Sequence, residues 1–216
     1  MKYLILFCIF SGEVLSDSIK QESHIPIGVF SSNTLEGWEE KVFDQQTSYV
    51  LTQIDHDIAL KAQSNDSASG LFKELVVDIK KYPYLNWRWR IEGRLPALDE
   101  TKKQGDDYAA RIYVVVSGGL FFWRTKALNY VWSSRAEKDV EWPNAFAPDN
   151  AHMVAARTAS DQTGVWYVEK RNIYEALKHW LGDEVSSIDA IAIMTDTDNS
   201  DGKATAFYGD IYFSAE

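Results

Sequence analysis

The sequence predicts an all-β protein: a two-sheet antiparallel β-sandwich of the jelly-roll kind, with one short helix. Three observations lead there. Short runs of alternating apolar and polar residues fill most of the chain, separated by turn-forming residues. Aromatic residues are abundant, with 8 Trp, 11 Tyr and 10 Phe in 216 residues, and such rings suit pleated, half-buried surfaces. Only "IYEALKHWLG" sets apolar residues at helical spacing, through Ile173, Ala176, Leu177 and Trp180, with Gly182 as the stop.

Along the chain, Met1-Lys2 followed by the apolar "YLILFCIF" and "VLS" reads as a signal peptide over residues 1–16, cut ahead of Asp17. The apolar run is shorter than the roughly 20 residues a bilayer span needs. Residues 17–28 read as an N-terminal extension, and 29–216 as one domain, because no repeat, low-complexity segment or linker divides them. "SYVLTQI" and "DIALKAQ" are strands joined by a turn near Asp55-His56-Asp57, and "GLFKELVVDI" follows a Ser/Asn-rich stretch. In "YPYLNWRWRIEG", Leu85, Trp87, Trp89 and Ile91 alternate with Tyr84, Asn86, Arg88 and Arg90. After the polar loop "LPALDETKKQGDD" come strands in "YAARIYVVVSGG", "LFFWRT", "LNYVWSS", "HMVAART" and "GVWYVEKRNI", then the helix, then "IDAIAIMTD" and "ATAFYGDIYF".

Composition excludes several chemistries. Cys8 is the only cysteine and lies in the predicted signal, so the mature chain has no disulfide, thiolate nucleophile or cysteine-ligated metal. The net charge of −10 argues against a nucleic-acid partner. The four His are scattered without ligand spacing, and no phosphate loop or nucleophile elbow is present. The expected setting is the periplasm or the exterior.

Two constellations remain. "IMTDTDNSDG" crowds Asp196, Asp198 and Asp201 into one loop. An EF-hand starting at Asp196 would put Asp201 where a glycine is needed and Phe207 where a bidentate glutamate is needed, so that motif is excluded. A hairpin turn and a non-EF structural calcium site both remain open, and no other cofactor is expected. The second constellation comes from strand parity. If Trp87 and Trp89 face the core, then Arg88 and Arg90 face outward. Arg111 with Tyr113, and Tyr167 with Glu169 and Arg171, are expected on outer faces likewise. Together with Trp123 or Trp132 as stacking platforms, Arg88, Arg90, Arg111, Tyr113 and Glu169 form a candidate surface for a glycan or small-molecule ligand. The alternative is a set of cross-strand ion pairs on a solvated sheet.

The blocks "GDDYAARIYVVV", "ALNYVWSS", "VEKRNIYEAL" and "AIAIMTDTDNSDGKATAFYGDIYF" resemble the bacterial family catalogued as domain of unknown function 3047, over about Phe30 to Phe213. That resemblance implies compartment and fold, and assigns no catalytic residues. The segments "GVFSSNTLEGWEE", "YPYLNWRWRI" and "YGDIYF" are similar in arrangement to galactose-binding-like and carbohydrate-binding-module sandwiches, some of which carry a structural calcium. The leading expectation is non-catalytic binding of a carbohydrate or envelope glycan. The alternatives are a polysaccharide hydrolase or lyase using Asp106, Asp107 and Glu169 with Arg111, and an envelope protein–protein interaction module.

Overall fold

The computed structural model describes residues 23–120 and 124–216, so the signal segment and Trp123 lie outside the described residues. The chain begins with β1 (His24–Gly28), β2 (Glu39–Asp44), β3 (Ser48–Ile54), β4 (Asp57–Asn65) and β5 (Ala68–Asp78). Next come β6 (Tyr84–Ile91), β7 (Tyr108–Val116), β8 (Lys126–Trp132), β9 (Glu141–Pro143) and β10 (Ala151–Arg157). It ends with β11 (Tyr167–Asn172), helix α1 (Ile173–Leu181), β12 (Ser187–Asp196), β13 (Lys203–Tyr208) and β14 (Ile211–Ser214). The expected helix is thus present where its spacing placed it. Residues 24–28, read as part of an extension, instead pair with β14 as a strand of the domain.

The strands form two seven-stranded sheets. The first runs β1-β14-β6-β13-β4-β3, with β11 on the opposite edge of β6; the second runs β2-β5-β12-β7-β8-β10-β9. All pairings among the described residues are antiparallel except β8 with β10. Leu85, Trp87, Trp89 and Ile91 of β6 point between the sheets, each 1% exposed or less. They meet Ile112 and Val114 of β7, Tyr130 and Trp132 of β8, and Ile191 and Ile193 of β12 in one core. The alternation read from the sequence is therefore the sorting of residues between core and outer face. Helix α1 seals one opening: Asn172 Oδ1 accepts from Glu175 N at 3.0 Å, and Ile173 and Leu177 are fully buried.

The chain changes sheets between β4 and β5 and again between β12 and β13, and hydroxyls bind the two crossings together. Thr197 Oγ1 lies 2.7 Å from Ser64 Oγ and accepts from Asp66 N at 3.0 Å. Thr47 Oγ1 donates to Thr195 O at 3.0 Å. These buried polar groups are partnered, as burial requires, and they fix the end of β12 from which the aspartate loop departs.

Candidate ligand-binding cavity

The register Arg111↔Val131, Tyr113↔Asn129 and Met153↔Asn129 puts these side chains on the outer face of the second sheet. That face is not simply solvated. Tyr108, Val131, Trp142, Met153 and Ala155 pack there as a small second core. Beside them opens a cavity of about 350 Å³ lined by Phe43, Asp106, Arg111, Tyr113, Asn129, Asn144, Phe146, Met194, Asp196, Asp198 and Asn199, among others.

Local structure explains each placement. Before Asp106 the chain folds tightly on itself: a Cβ at Gly105 would lie 2.4 Å from Asp99 O, so only glycine fits. The turn delivers two acids. Asn144 Nδ2 donates to both Asp106 oxygens at 2.9 and 3.0 Å, and Tyr108 Oη donates to Oδ1 at 3.2 Å. Asp107 accepts from Asn199 N at 3.1 Å, from Asn199 Nδ2 at 3.2 Å and from Ser200 Oγ. It thereby ties the start of β7 to the loop after β12.

Arg111 occupies the floor. Its guanidinium carbon lies 5.1 Å from the Tyr108 ring and 4.7 Å from the Tyr113 ring, a cation–π arrangement on two rings. Arg111 Nη1 stands 3.5 Å from Asp196 Oδ2 and 3.9 Å from Asp106 Oδ2. Burial pushes the Asp196 and Asp106 carboxyls up from the usual carboxylate range, and Arg111 pulls both back. Arg111 Nε and Nη1, Asn129 Oδ1 and Asp196 Oδ1 are buried without a hydrogen-bond partner. Two donor atoms and two acceptor atoms in residues of one cavity thus lack a hydrogen bond, Nη1 having only its ion pairs with Asp196 and Asp106, and hydroxyl groups can supply partners of both kinds. Phe43 and Phe146, each more than half exposed, supply apolar walls. A more open groove of about 780 Å³ runs along β1 and β14, but no charged residue lining it is buried.

Of the residues singled out from sequence, the structure brings Asp106, Arg111, Tyr113, Asp196 and Asp198 to this cavity. Arg88 and Arg90 do face outward, but on the other sheet, so one groove cannot hold them with Arg111. Arg88 pairs with Asp57 and lies 4.6 Å over the Trp166 ring, and Arg90 pairs with Glu92 at 2.8 Å and Asp55 at 3.5 Å. Glu169 is a correction to the parity argument. It stands opposite Trp87 in the ladder and so shares the inward side of β11. There it is buried, pairing with Arg157 and with Arg171 at 3.7 Å. An edge strand beside the gap between sheets can turn charge inward when a cation from the facing sheet meets it. Trp132 is also inward, packed 5.9 Å from Trp89 and 5.5 Å from Tyr167, with Nε1 donating to Thr158 O at 3.1 Å. Asp201 is exposed at a left-handed turn position (φ 50°), away from the other two aspartates of its loop. Asp107 takes its place: one oxygen each from Asp107, Asp196 and Asp198 falls within 4.8 Å of the others.

Asn129, Asn144, Phe43 and Phe146 were not singled out by sequence. Asn129 had a signal, a polar residue alternating within an apolar strand. Asn144 had none, because its role depends on a loop meeting Asp106.

Among solved structures, the fold is similar to cellulose induced protein, Cip1, with a TM-score of 0.52 and 10% identity over 87% of this chain and 96% of that one. It is similar also to a family 11 carbohydrate-binding module from Clostridium thermocellum, in complex with a beta-1,3-1,4-mixed-linked tetrasaccharide. There the TM-score is 0.50 at 10% identity, covering 88% of this chain and 95% of that one. At such identity the likeness concerns the fold alone, and it agrees with the sandwich built from strand alternation. No curated protein matches the chain in sequence. Residues 36–212 match the family described as "Protein of unknown function (DUF3047)", and the chain belongs to that family.

Proposed function

We propose that this protein is a secreted or periplasmic glycan-binding module that holds a carbohydrate in the cavity on the second sheet without transforming it. The observation that carries this reading is the set of unpaired buried atoms on Arg111, Asn129 and Asp196 beneath the aromatic walls Phe43, Tyr113 and Phe146. Sugars present hydroxyls at their edges and apolar faces between them, and this lining answers both. The neighbouring carbohydrate-binding module supports the reading by fold, which by itself assigns no ligand.

Titration calorimetry against neutral and acidic soluble polysaccharides, including a mixed-linked β-glucan, tests it. Binding is expected to weaken about fivefold in Phe146→Ala, since a stacking contact contributes on the order of 1 kcal/mol and 1.4 kcal/mol is a factor of ten. Phe146 lies outside the strands and is half exposed, so thermal stability should not change. Absence of binding to every polysaccharide in the wild type overturns the proposal.

A second reading, a hydrolase or lyase, has one observation in its favour: Asp106 and Asp196 line one cavity and meet the same nitrogen of Arg111, and burial raises both. Release of reducing ends or of unsaturated uronate product from the same polysaccharides would favour it over simple binding.

A further inference from the structure

We propose that Asp107, Asp196 and Asp198 form a divalent-cation site of the hard-oxygen, calcium-accepting kind at the edge of the cavity. The glycan reading does not require such a site, and the two share one atom, Asp196 Oδ1, which an ion would take in place of a sugar hydroxyl. The three carboxylates come from two places in the chain: Asp107 precedes β7, while Asp196 and Asp198 stand at the end of β12 and in the loop after it. One oxygen from each lies within 4.8 Å of the other two. Opposite oxygens around one calcium stand roughly 5 Å apart, so these three can share a single ion.

A second observation points to the same ligand. Asp196 is 2% exposed, its Oδ2 faces Arg111 at 3.5 Å, and its Oδ1 is buried with no hydrogen-bond partner. A buried carboxylate oxygen without a donor calls for a cation or a proton. Charge favours the cation. Asp106 and Asp196 meet the single guanidinium of Arg111, and Asp107 and Asp198 stand beside Asp196, leaving an excess of negative charge that one dication would offset. Asn199 and Ser200 hold the Asp107 carboxylate in place by its side-chain and backbone donors, so one ligand is oriented before any ion arrives. The donor set is all oxygen, which suits calcium, magnesium or manganese and not the softer transition metals. Asp198 is the least buried of the three and also lines the cavity. Water or a hydroxyl of a cavity ligand would complete the coordination.

The test uses the whole mature protein, stripped with EDTA and dialysed. Calcium chloride alone is then titrated in by calorimetry, with melting followed in parallel. The expected result is saturable binding at one site per chain and a melting temperature that climbs with calcium, because an ion that binds only the folded state stabilises it by mass action. Asp198→Asn should weaken calcium at least tenfold while the metal-free melting temperature stays near that of the wild type. No heat and no melting shift up to about 10 mM calcium, beyond the weakest range of protein calcium sites, overturns the proposal. So does saturable binding that Asp198→Asn leaves intact. Glycan binding measured in EDTA tests the glycan reading separately, so either proposal can fail without the other.

Discussion

Removing Arg111 from the cavity floor should be among the most damaging single changes to this protein, and the damage should depend on pH. Arg111→Met keeps the apolar stem of the side chain and deletes the guanidinium. In the native protein that group stands 3.5 Å from Asp196 Oδ2 and 3.9 Å from Asp106 Oδ2, with side-chain exposures of 9%, 3% and 5% for the three residues. At an effective dielectric near 20, a unit pair at 3.5 Å has a gross attraction of about 5 kcal/mol. Desolvation of the pair offsets much of that, but deleting one partner leaves the other charge buried, and such deletions cost about 3–5 kcal/mol. Urea unfolding in EDTA at pH 7 should show a loss of that size. The remedy available to the variant is protonation. Burial already raises Asp196 and Asp106, with Arg111 pulling them back, so the variant should hold their protons still more tightly in the folded state than in the unfolded. A folded pKa above the unfolded one makes stability fall as pH rises through that window. The deficit relative to wild type should therefore shrink as pH is lowered from 7 toward 5. A loss under about 1 kcal/mol, or a deficit that ignores pH, would refute the view that Arg111 compensates two buried carboxylates.

Other perturbations follow from single features. Gly105→Ala drives a Cβ to 2.4 Å from Asp99 O, a backbone atom that cannot swing aside; an overpacking loss of about 1–3 kcal/mol is expected in urea unfolding, with weaker ligand binding because the same turn sets Asp106 and Asp107. Asn172→Ala removes the cap on Glu175 N at 3.0 Å and should cost about 1 kcal/mol, visible as a lower melting temperature without change in binding. Glu100 is raised chiefly by burial, while Ser133 and Ser134 lower it through hydrogen bonds. Its folded pKa thus exceeds the unfolded one, so Glu100→Gln should flatten part of the decline in wild-type stability between mildly acidic and neutral pH. An unchanged pH profile would remove Glu100 from that account.

Much of the fold was legible in the alternation itself. Trp87 and Trp89 face the core and Arg88 and Arg90 do not, as period-two sorting requires, and Ile173, Leu177 and Gly182 mark the helix that forms. Parity, however, gives only the side of a strand and not the sheet to which it belongs. Arg90 and Arg111 are both outward and lie on opposite faces of the sandwich, because β6 and β7 are consecutive in the chain and separate in space. Parity failed outright for Tyr167, Glu169 and Arg171, which stand opposite the inward Trp89, Trp87 and Leu85; β11 is an edge strand, and Arg157 reaches Glu169 from the facing sheet. The aspartate loop was visible as a cluster, but its third member came from elsewhere in the chain. Asp107 joins through hydrogen bonds to Asn199 and Ser200 that no local spacing encodes. β1 and β2 escaped notice because neither alternates cleanly; β2 is exposed at every residue.

The pairing of β1 with β14 sets how the domain responds to tension. His24 lies opposite Ser214 and Gly28 opposite Ile211, in antiparallel register. Force applied outward through residues 24 and 214 would therefore load the ladder one rung at a time, in the manner of a zipper, rather than shearing all rungs together. A tether attached at those two points should peel these strands at low force before the rest of the sandwich yields. The same adjacency would let a short linker join residues 24 and 214, so that new openings could be cut in surface turns without losing this strand pair.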